Sequence, residues 1–147
     1  MTYLLDVNVL IALIDPAHDH YSAAHDWFSS TGRHSWATCP IIENGVVRIL
    51  GNPRYPFPLA QSSPAGVARI LGELRAAPGH VFWADEISLL NPAIVDLGQL
   101  LHSLQVTDTY LLALAVSKGG KLATFDARLT TNSVHGGAAA LHLIPTA

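Results

Sequence analysis

The stretch Tyr3-Leu4-Leu5-Asp6-Val7-Asn8-Val9-Leu10-Ile11-Ala12-Leu13-Ile14, at the start of the chain, decides the fold. Its first apolar run is typical of a buried strand, and its second is typical of a buried helix. A carboxylate, Asp6, stands between the two runs. Open α/β sheets bind their ligands in the crevice outside the carboxyl ends of parallel strands. Asp6 is therefore predicted to lie at such a crevice, and the other informative acids are placed relative to it.

Length and composition predict a single domain, residues 1–147, with one sizeable core. Hydrophobic residues make up 50% of the chain and charged residues only 13%, so strands and helices should be buried on more than one side. Cys39 is the single cysteine, which excludes an internal disulfide and a cysteine-based zinc site and favours a reducing, cytoplasmic location. We expect neither a signal peptide nor a membrane span.

The net charge of −3 and the lack of a basic run do not favour nucleic-acid binding on charge alone. That inference is weak, because four of the eleven acids are candidates for sharing one cation. Charge therefore leaves a nucleic-acid substrate open.

Helical and strand patterns alternate along the chain, which predicts an α/β sandwich around a mostly parallel sheet. Asn8 is a candidate cap for the first helix, and Thr107-Asp108 should open the most apolar one, with Thr107 as its cap. Strands are predicted at 3–5, 34–38, 80–83, 121–126 and 141–144, the last at an edge of the sheet. Helices are predicted at 9–14, 20–28, 40–50, 64–77, 92–101 and 109–117.

Four acids fall at predicted junctions between strands and helices. Asp6 and Asp126 each end an apolar strand, Asp108 lies in the first turn of the most buried helix, and Glu43 lies in the first turn of another. Right-handed connections bring such junctions to one edge of the sheet. Each acid taken alone is equally typical of a helix cap, a turn or a solvated helix residue, so the functional interpretation depends on the set.

Several carboxylates in one pocket repel each other by several kcal/mol per close pair, at an effective dielectric of about 20. Protonation of some acids relieves this repulsion, and so does a hard divalent cation. Ligation by carboxylate oxygens favours Mg²⁺, with Mn²⁺ as the alternative. Such an ion activates water and stabilises charge on phosphoryl oxygens, so hydrolysis of a phosphodiester is the natural reaction.

At these residues the chain resembles the PIN-domain ribonucleases, and among them the small VapC-type toxins of bacterial toxin–antitoxin pairs. The resemblance extends over essentially the whole chain. It is carried by four segments in order, which are Leu4 to Leu13, Ile42-Glu43, Thr107 to Ala115 and Leu122 to Leu129.

The resemblance implies a PIN-like three-layer α/β/α sandwich and a metal-dependent endoribonuclease. By it, Asp6 and Asp108 are the firmest metal ligands, and Glu43 and Asp126 contribute directly or through water. Asn8 matches a position that often holds a small polar residue near the site, and so does Thr124. The resemblance also implies an RNA substrate, a homodimer and a cognate VapB-like antitoxin whose tail enters the acidic pocket.

Two other functions are compatible with the pattern. The first is a PIN-like fold kept as a non-catalytic binding or scaffold module. The second is an aspartate-nucleophile phosphatase, for which the Asp6 loop is suitable but Asn8 stands where a second acid is needed.

Several further residues have simpler interpretations. His18, His20 and His25 lack the spacing of a helical zinc site, and Cys39 has no clear base partner. The Asp85-Glu86 pair is interpreted as a solvated turn. The Pro-rich segment 52–63 is a candidate lid or partner contact. Arginines that follow a motif or lie in that segment are candidates for phosphate contacts, and they are Arg48, Arg54 and Arg128.

Overall fold

A computed structural model describes residues 1–56 and 63–146. The central sheet has five strands, all parallel, in the order β3-β2-β1-β4-β5. The strands are β1 Tyr3–Leu5, β2 Trp36–Thr38, β3 His80–Phe82, β4 Lys121–Thr124 and β5 Leu141–Leu143. The helices are α1 Val7–Ile14, α2 Tyr21–Ser30, α3 Pro40–Leu50, α4 Pro64–Arg75, α5 Val106–Ser117 and α6 Gly137–Ala140. This confirms the predicted α/β/α sandwich, with β5 at an edge.

The middle strands are buried on both faces, which explains their continuous apolar sequence. Leu4, Leu5 and Leu122 are fully buried, and helix α5 is buried almost all round, from Thr109 to Ala115. Helix α5 ends before Gly119, whose φ of +68° suits a residue without a side chain. The prediction of a central, buried α5 is confirmed. No helix among the described residues is both long and apolar enough to cross a membrane.

The prediction of a helix at 92–101 is wrong. The segment instead forms turns and a short 3-10 helix, Leu97–Gln99. Its polar side chains bond to their own backbone, because Asn91 Oδ1 accepts from Ala93 N at 3.0 Å and Asp96 Oδ1 accepts from Gly98 N at 3.0 Å. Such local bonds compete with helical ones, and the segment leaves its leucines exposed.

Both predicted helix caps are also wrong. Helix α1 is capped by Asp6, not Asn8, and α5 begins at Val106, so that Thr107 lies inside it. The preceding 3-10 turn, Ser103–Gln105, starts the helix early through the side chain of Gln105. Helix α6 was not predicted, because its sequence of one glycine and three alanines has no periodicity. Half of the Pro-rich segment 52–63, residues 57–62, lies outside the described residues, so its role as a lid or partner contact stays a prediction.

Candidate active site

The site begins at the carboxyl end of β1, where Asp6 caps helix α1. Its Oδ1 accepts from Val7 N at 2.7 Å, and its Oδ2 accepts from the Thr124 hydroxyl at 2.8 Å. Only 7% of Asp6 is exposed. Burial raises the pKa of Asp6, the Thr124 and Val7 hydrogen bonds lower it, and nearby Asp126 raises it. The carboxylate is therefore held rigidly where ionisation costs free energy, unless a cation compensates.

Asn8 and Thr124 join the end of β1 to the end of β4. Asn8 Nδ2 donates to Thr124 Oγ1 at 3.0 Å, and Asn8 Oδ1 accepts from Phe125 N at 3.2 Å. Thr124 is fully buried and accepts from Asp126 N at 3.1 Å. These bonds fix the backbone that carries both end-of-strand acids, which gives Asn8 and Thr124 supporting positions.

Asp108 approaches the same place from the first turn of α5, where the helix dipole favours a negative charge. It is nevertheless not easily ionised. Burial, followed by the charges of Asp6 and Asp126, raises the pKa of Asp108 to about 6. Neither ion pair in the described chain involves any of these three aspartates. The three acids thus repel one another without a basic side chain to neutralise them.

The three aspartates line one cavity of about 520 Å³, which we call the acid cavity. Its wall also contains two acids that sequence analysis did not assign to a site, Asp15 and Asp19, together with His18. Asp15 is buried and accepts a hydrogen bond from the Tyr55 hydroxyl. The sequence suggested Asp15 only as a helix end, since the Tyr55 contact spans forty residues.

Glu43 lies elsewhere. It occupies the predicted first turn of α3, but it lines a separate cavity with Arg75 of α4. Arg75 Nη1 is 2.9 Å from Glu43 Oε2, which also accepts from the Thr38 hydroxyl at 2.7 Å. His80 Nε2 lies 2.8 Å from the same hydroxyl. The described structure therefore brings together three of the four predicted acids and leaves the fourth paired with an arginine.

The donor set around the acid cavity suits a hard divalent cation that keeps part of its water shell. Within residues 1–56 and 63–146, no three acidic, histidine or cysteine side chains form a group that could hold a metal ion. Mg²⁺ in proteins is usually bound by one or two carboxylates and several waters, so it does not require a group of three protein ligands. Asp6 and Asp108 are two residues that could hold such an ion, because burial disfavours the charges of both carboxylates without one.

Most of the other residues considered from the sequence lie outside the acid cavity. Asp85 is exposed and accepts a hydrogen bond from the Tyr110 hydroxyl at 2.9 Å. Cys39 is buried, and burial raises the pKa of its thiol to about 11, which keeps it protonated at neutral pH. Arg48 and Arg54 line none of the cavities that the described residues form at the acids, whereas Arg128 does.

Comparisons with known proteins agree with the fold and with the resemblance. Residues 3–133 match the family profile of the PIN domain. Ribonuclease VapC44 of Mycobacterium tuberculosis is 40% identical over 92% of this chain and 94% of its own. Ribonuclease VapC39 of the same organism is 41% identical over 92% of this chain and 96% of its own.

Solved structures share the fold at low sequence identity. The crystal structure of M. tuberculosis VapC20, titled a sarcin-ricin loop cleaving toxin, has a TM-score of 0.65 at 14% identity and covers 97% of this chain and 99% of that one. A chain of FitAB bound to a DNA fragment has a TM-score of 0.58 at 18% identity, covering 96% and 94%. With the profile match and the two relatives, these findings show that the chain belongs to the PIN-domain family and, within it, to the VapC-type ribonucleases.

Proposed function

We propose that this protein is a Mg²⁺-dependent endoribonuclease that hydrolyses phosphodiester bonds of RNA at the acid cavity. The observation that carries the proposal is the position of Asp108, whose pKa is raised first by burial and then by the charges of Asp6 and Asp126, and which makes no ion pair with any described residue. Such an arrangement costs free energy in the metal-free protein and is relieved by a divalent cation. The VapC relatives, which are named ribonucleases, support RNA as the substrate.

In this proposal Asp6 and Asp108 hold the ion, and Asp126 contributes directly or through water. Mg²⁺, or Mn²⁺ in its place, supplies an activated water and stabilises charge on the phosphoryl oxygens when bound. Asn8 and Thr124 keep the ends of β1 and β4 in register, so that Asp6 and Asp126 stay aimed at the cavity. Preorganised acids of this kind lower the cost of binding an ion in a productive position.

Glu43 stays in the proposal as the weakest of the four acids. Its carboxylate is already neutralised by Arg75 and bonded to Thr38. We propose that it acts on the site at a distance, through water or through the position of α3, rather than as a principal ligand.

We further propose that the protein is a cytoplasmic toxin held inactive by a VapB-like antitoxin, and that it forms a homodimer. Solved neighbours with this fold include the VapBC2 complex of Rickettsia felis, which has a TM-score of 0.56 at 13% identity and covers 99% of this chain. Copurification of a small partner protein from the native operon tests the antitoxin, and light scattering of the purified toxin tests the dimer.

The decisive test of activity is cleavage of mixed RNA by the purified protein with Mg²⁺, compared with EDTA and with Asp6→Asn. Loss of one carboxylate ligand should reduce the cleavage rate by at least about 100-fold, equivalent to about 2.7 kcal/mol. Asp6→Asn keeps the size of the side chain and an oxygen that can cap α1, and circular dichroism checks its fold.

Asp85→Asn is the matched control, because it removes an exposed acid outside the acid cavity. Its cleavage rate should stay within about twofold of wild type, as expected for a surface change. Equal cleavage by Asp6→Asn and wild type, or full cleavage in EDTA, would overturn the proposal of a metal-dependent site at Asp6. Absence of cleavage by folded wild-type protein with Mg²⁺ would leave a binding or scaffold module.

A further inference from the structure

The acid cavity does not end at the aspartates. A second cavity of about 400 Å³ shares Asp108 and Asp126 with it, so the two carboxylates form a boundary common to both spaces. We call the second cavity the distal arm. Its remaining walls come from the turn before α5 and from the loop after β4, and they are His102, Leu104, Gln105, Arg128, Leu129 and Thr130.

The two spaces differ in charge. The acid cavity has five carboxylates, and its described lining includes no lysine or arginine. The distal arm has Arg128, and its lining includes no acid beyond the shared Asp108 and Asp126. The described lining of the distal arm is therefore less negative than that of the acid cavity, so a polyanion is repelled less there, and a cation at the shared aspartates leaves the positive charge of Arg128 uncompensated. Even with a cation at the aspartates, a phosphate chain gains most electrostatic free energy on the side of the distal arm.

The distal arm is built before any ligand arrives. Gln105 Oε1 accepts from Leu101 N at 2.8 Å and from His102 N at 2.9 Å, while its Nε2 donates to Thr130 Oγ1 at 2.8 Å. These three bonds join the turn before α5 to the loop after β4. On the opposite wall, Arg128 N donates to Asp126 Oδ1 at 2.9 Å. Both polar atoms of the Gln105 side-chain amide are therefore engaged with the walls, so its role is to position them.

The groups left available in the distal arm are of two kinds. Arg128 is exposed, and its side chain makes no hydrogen bond or ion pair with any other described residue, while the exposed His102 side chain accepts from the backbone N–H of Gln105. Leu104 is 90% exposed and Leu101 is 68% exposed, which places apolar surface beside them. A single-stranded nucleotide has the complementary features, a phosphate next to the flat apolar face of a base.

We propose that the distal arm binds the RNA segment on one side of the scissile bond, with Arg128 contacting a backbone phosphate and Leu104 packing against a base. The proposal rests on the proposed function for its substrate class. The RNA is then bound more strongly on the side of the scissile bond that lies between the turn before α5 and the loop after β4. The acid cavity then accommodates the reacting phosphate and the other side of the cut.

Binding of a labelled, short, mixed-sequence single-stranded RNA, followed by fluorescence anisotropy over a range of salt concentrations, tests this. All variants are made in the Asp6→Asn background, so that no RNA is cut during the titration. Arg128→Gln should weaken binding and reduce the slope of log K against log salt by about 0.7, the value for one lost phosphate contact on a single strand. Leu104→Ser should weaken binding by roughly fivefold or more without changing the slope, as expected for a lost base contact.

Arg69→Gln is the matched control, because it removes the same charge from an exposed position of α4 away from both cavities. Its affinity and slope should equal those of the background protein. An Arg128→Gln slope and affinity equal to those of Arg69→Gln would overturn the inference.

The binding assay also separates this inference from the proposed function. If wild-type protein fails to cut RNA while Arg128→Gln still reduces the slope, the distal arm binds RNA and the catalytic proposal fails. If wild type cuts RNA and Arg128→Gln binds normally, the catalytic proposal stands and the distal arm is not the RNA path.

Discussion

Two acidic regions lie at the same edge of the sheet, and they differ in whether their carboxylates are paired with a basic side chain. Near the ends of β1 and β4, Asp6, Asp108 and Asp126 face one cavity, and none of them forms an ion pair with a described residue. At the ends of β2 and β3, Glu43 is paired with Arg75 at 2.9 Å. An acid that is paired with an arginine can stabilise the fold. A group of unpaired acids raises the electrostatic free energy of the folded protein, and a bound cation lowers it. Position at the sheet edge alone therefore does not make an acid a metal ligand.

The largest expected difference between the two regions is their response to Mg²⁺. At about 100 times its dissociation constant, an ion that binds only the folded state adds about 2.7 kcal/mol to the free energy of unfolding. Wild type should therefore melt several degrees higher with Mg²⁺ than with EDTA. Asp108→Asn should lose most of this shift, and Glu43→Gln should keep most of it, as measured by differential scanning fluorimetry. Equal shifts in the two variants would erase the distinction between the regions.

A smaller difference is expected in the pH dependence of stability in EDTA. The pKa of Asp108 is about 6 in the folded protein and 3.8 ordinarily, so the folded state binds the proton more tightly. The contribution of Asp108 to the free energy of unfolding should rise as the pH falls from 7 towards 4. It should be lost as the pH rises through 6. Because Asp108 is half-exposed, we expect about 1 kcal/mol after allowance for screening.

Urea unfolding of wild type and Asp108→Asn at several pH values measures this contribution as the difference between the two proteins. Other carboxylates titrate in the same range and cancel in that difference. A difference that stays constant from pH 4 to pH 7 would mean that Asp108 is not held in a repulsive group.

The smallest expected effect is the coupling between Glu43 and Arg75. Their side chains are 19% and 39% exposed, so solvent screens the pair and we expect a coupling free energy of about 0.5–1 kcal/mol. A double-mutant cycle of Glu43→Gln and Arg75→Gln, measured by urea unfolding, gives this value. The pair of Lys118 and Glu86 is a suitable comparison, because Glu86 is 58% exposed and its coupling should be weaker.

A coupling near zero for Glu43 and Arg75 would mean that the carboxylate is not committed to the arginine. Glu43 would then be free to act with the three aspartates, and the contrast between the two regions would disappear.

Much of this arrangement was predictable from local sequence. The apolar runs around Asp6 and in α5 predicted buried elements, because continuous hydrophobicity occurs where both faces of an element are covered. The order of the motifs, together with the resemblance to PIN-domain ribonucleases, predicted the fold and the sheet edge that gathers the acids. The false helix at 92–101 shows the limit of periodicity, since Asn91 and Asp96 satisfy the backbone locally.

The sequence by itself determined which acids stand at strand ends and helix starts, because those positions follow from short-range patterns of apolar and polar residues. Only the tertiary structure decided which acids are neutralised. The partners of Glu43 are Arg75, thirty-two residues away, and Thr38 at the end of β2, whereas Asp108 meets Asp6 and Asp126 across the sheet. Electrostatic free energy depends on distances in space between such residues, and a linear pattern does not contain those distances.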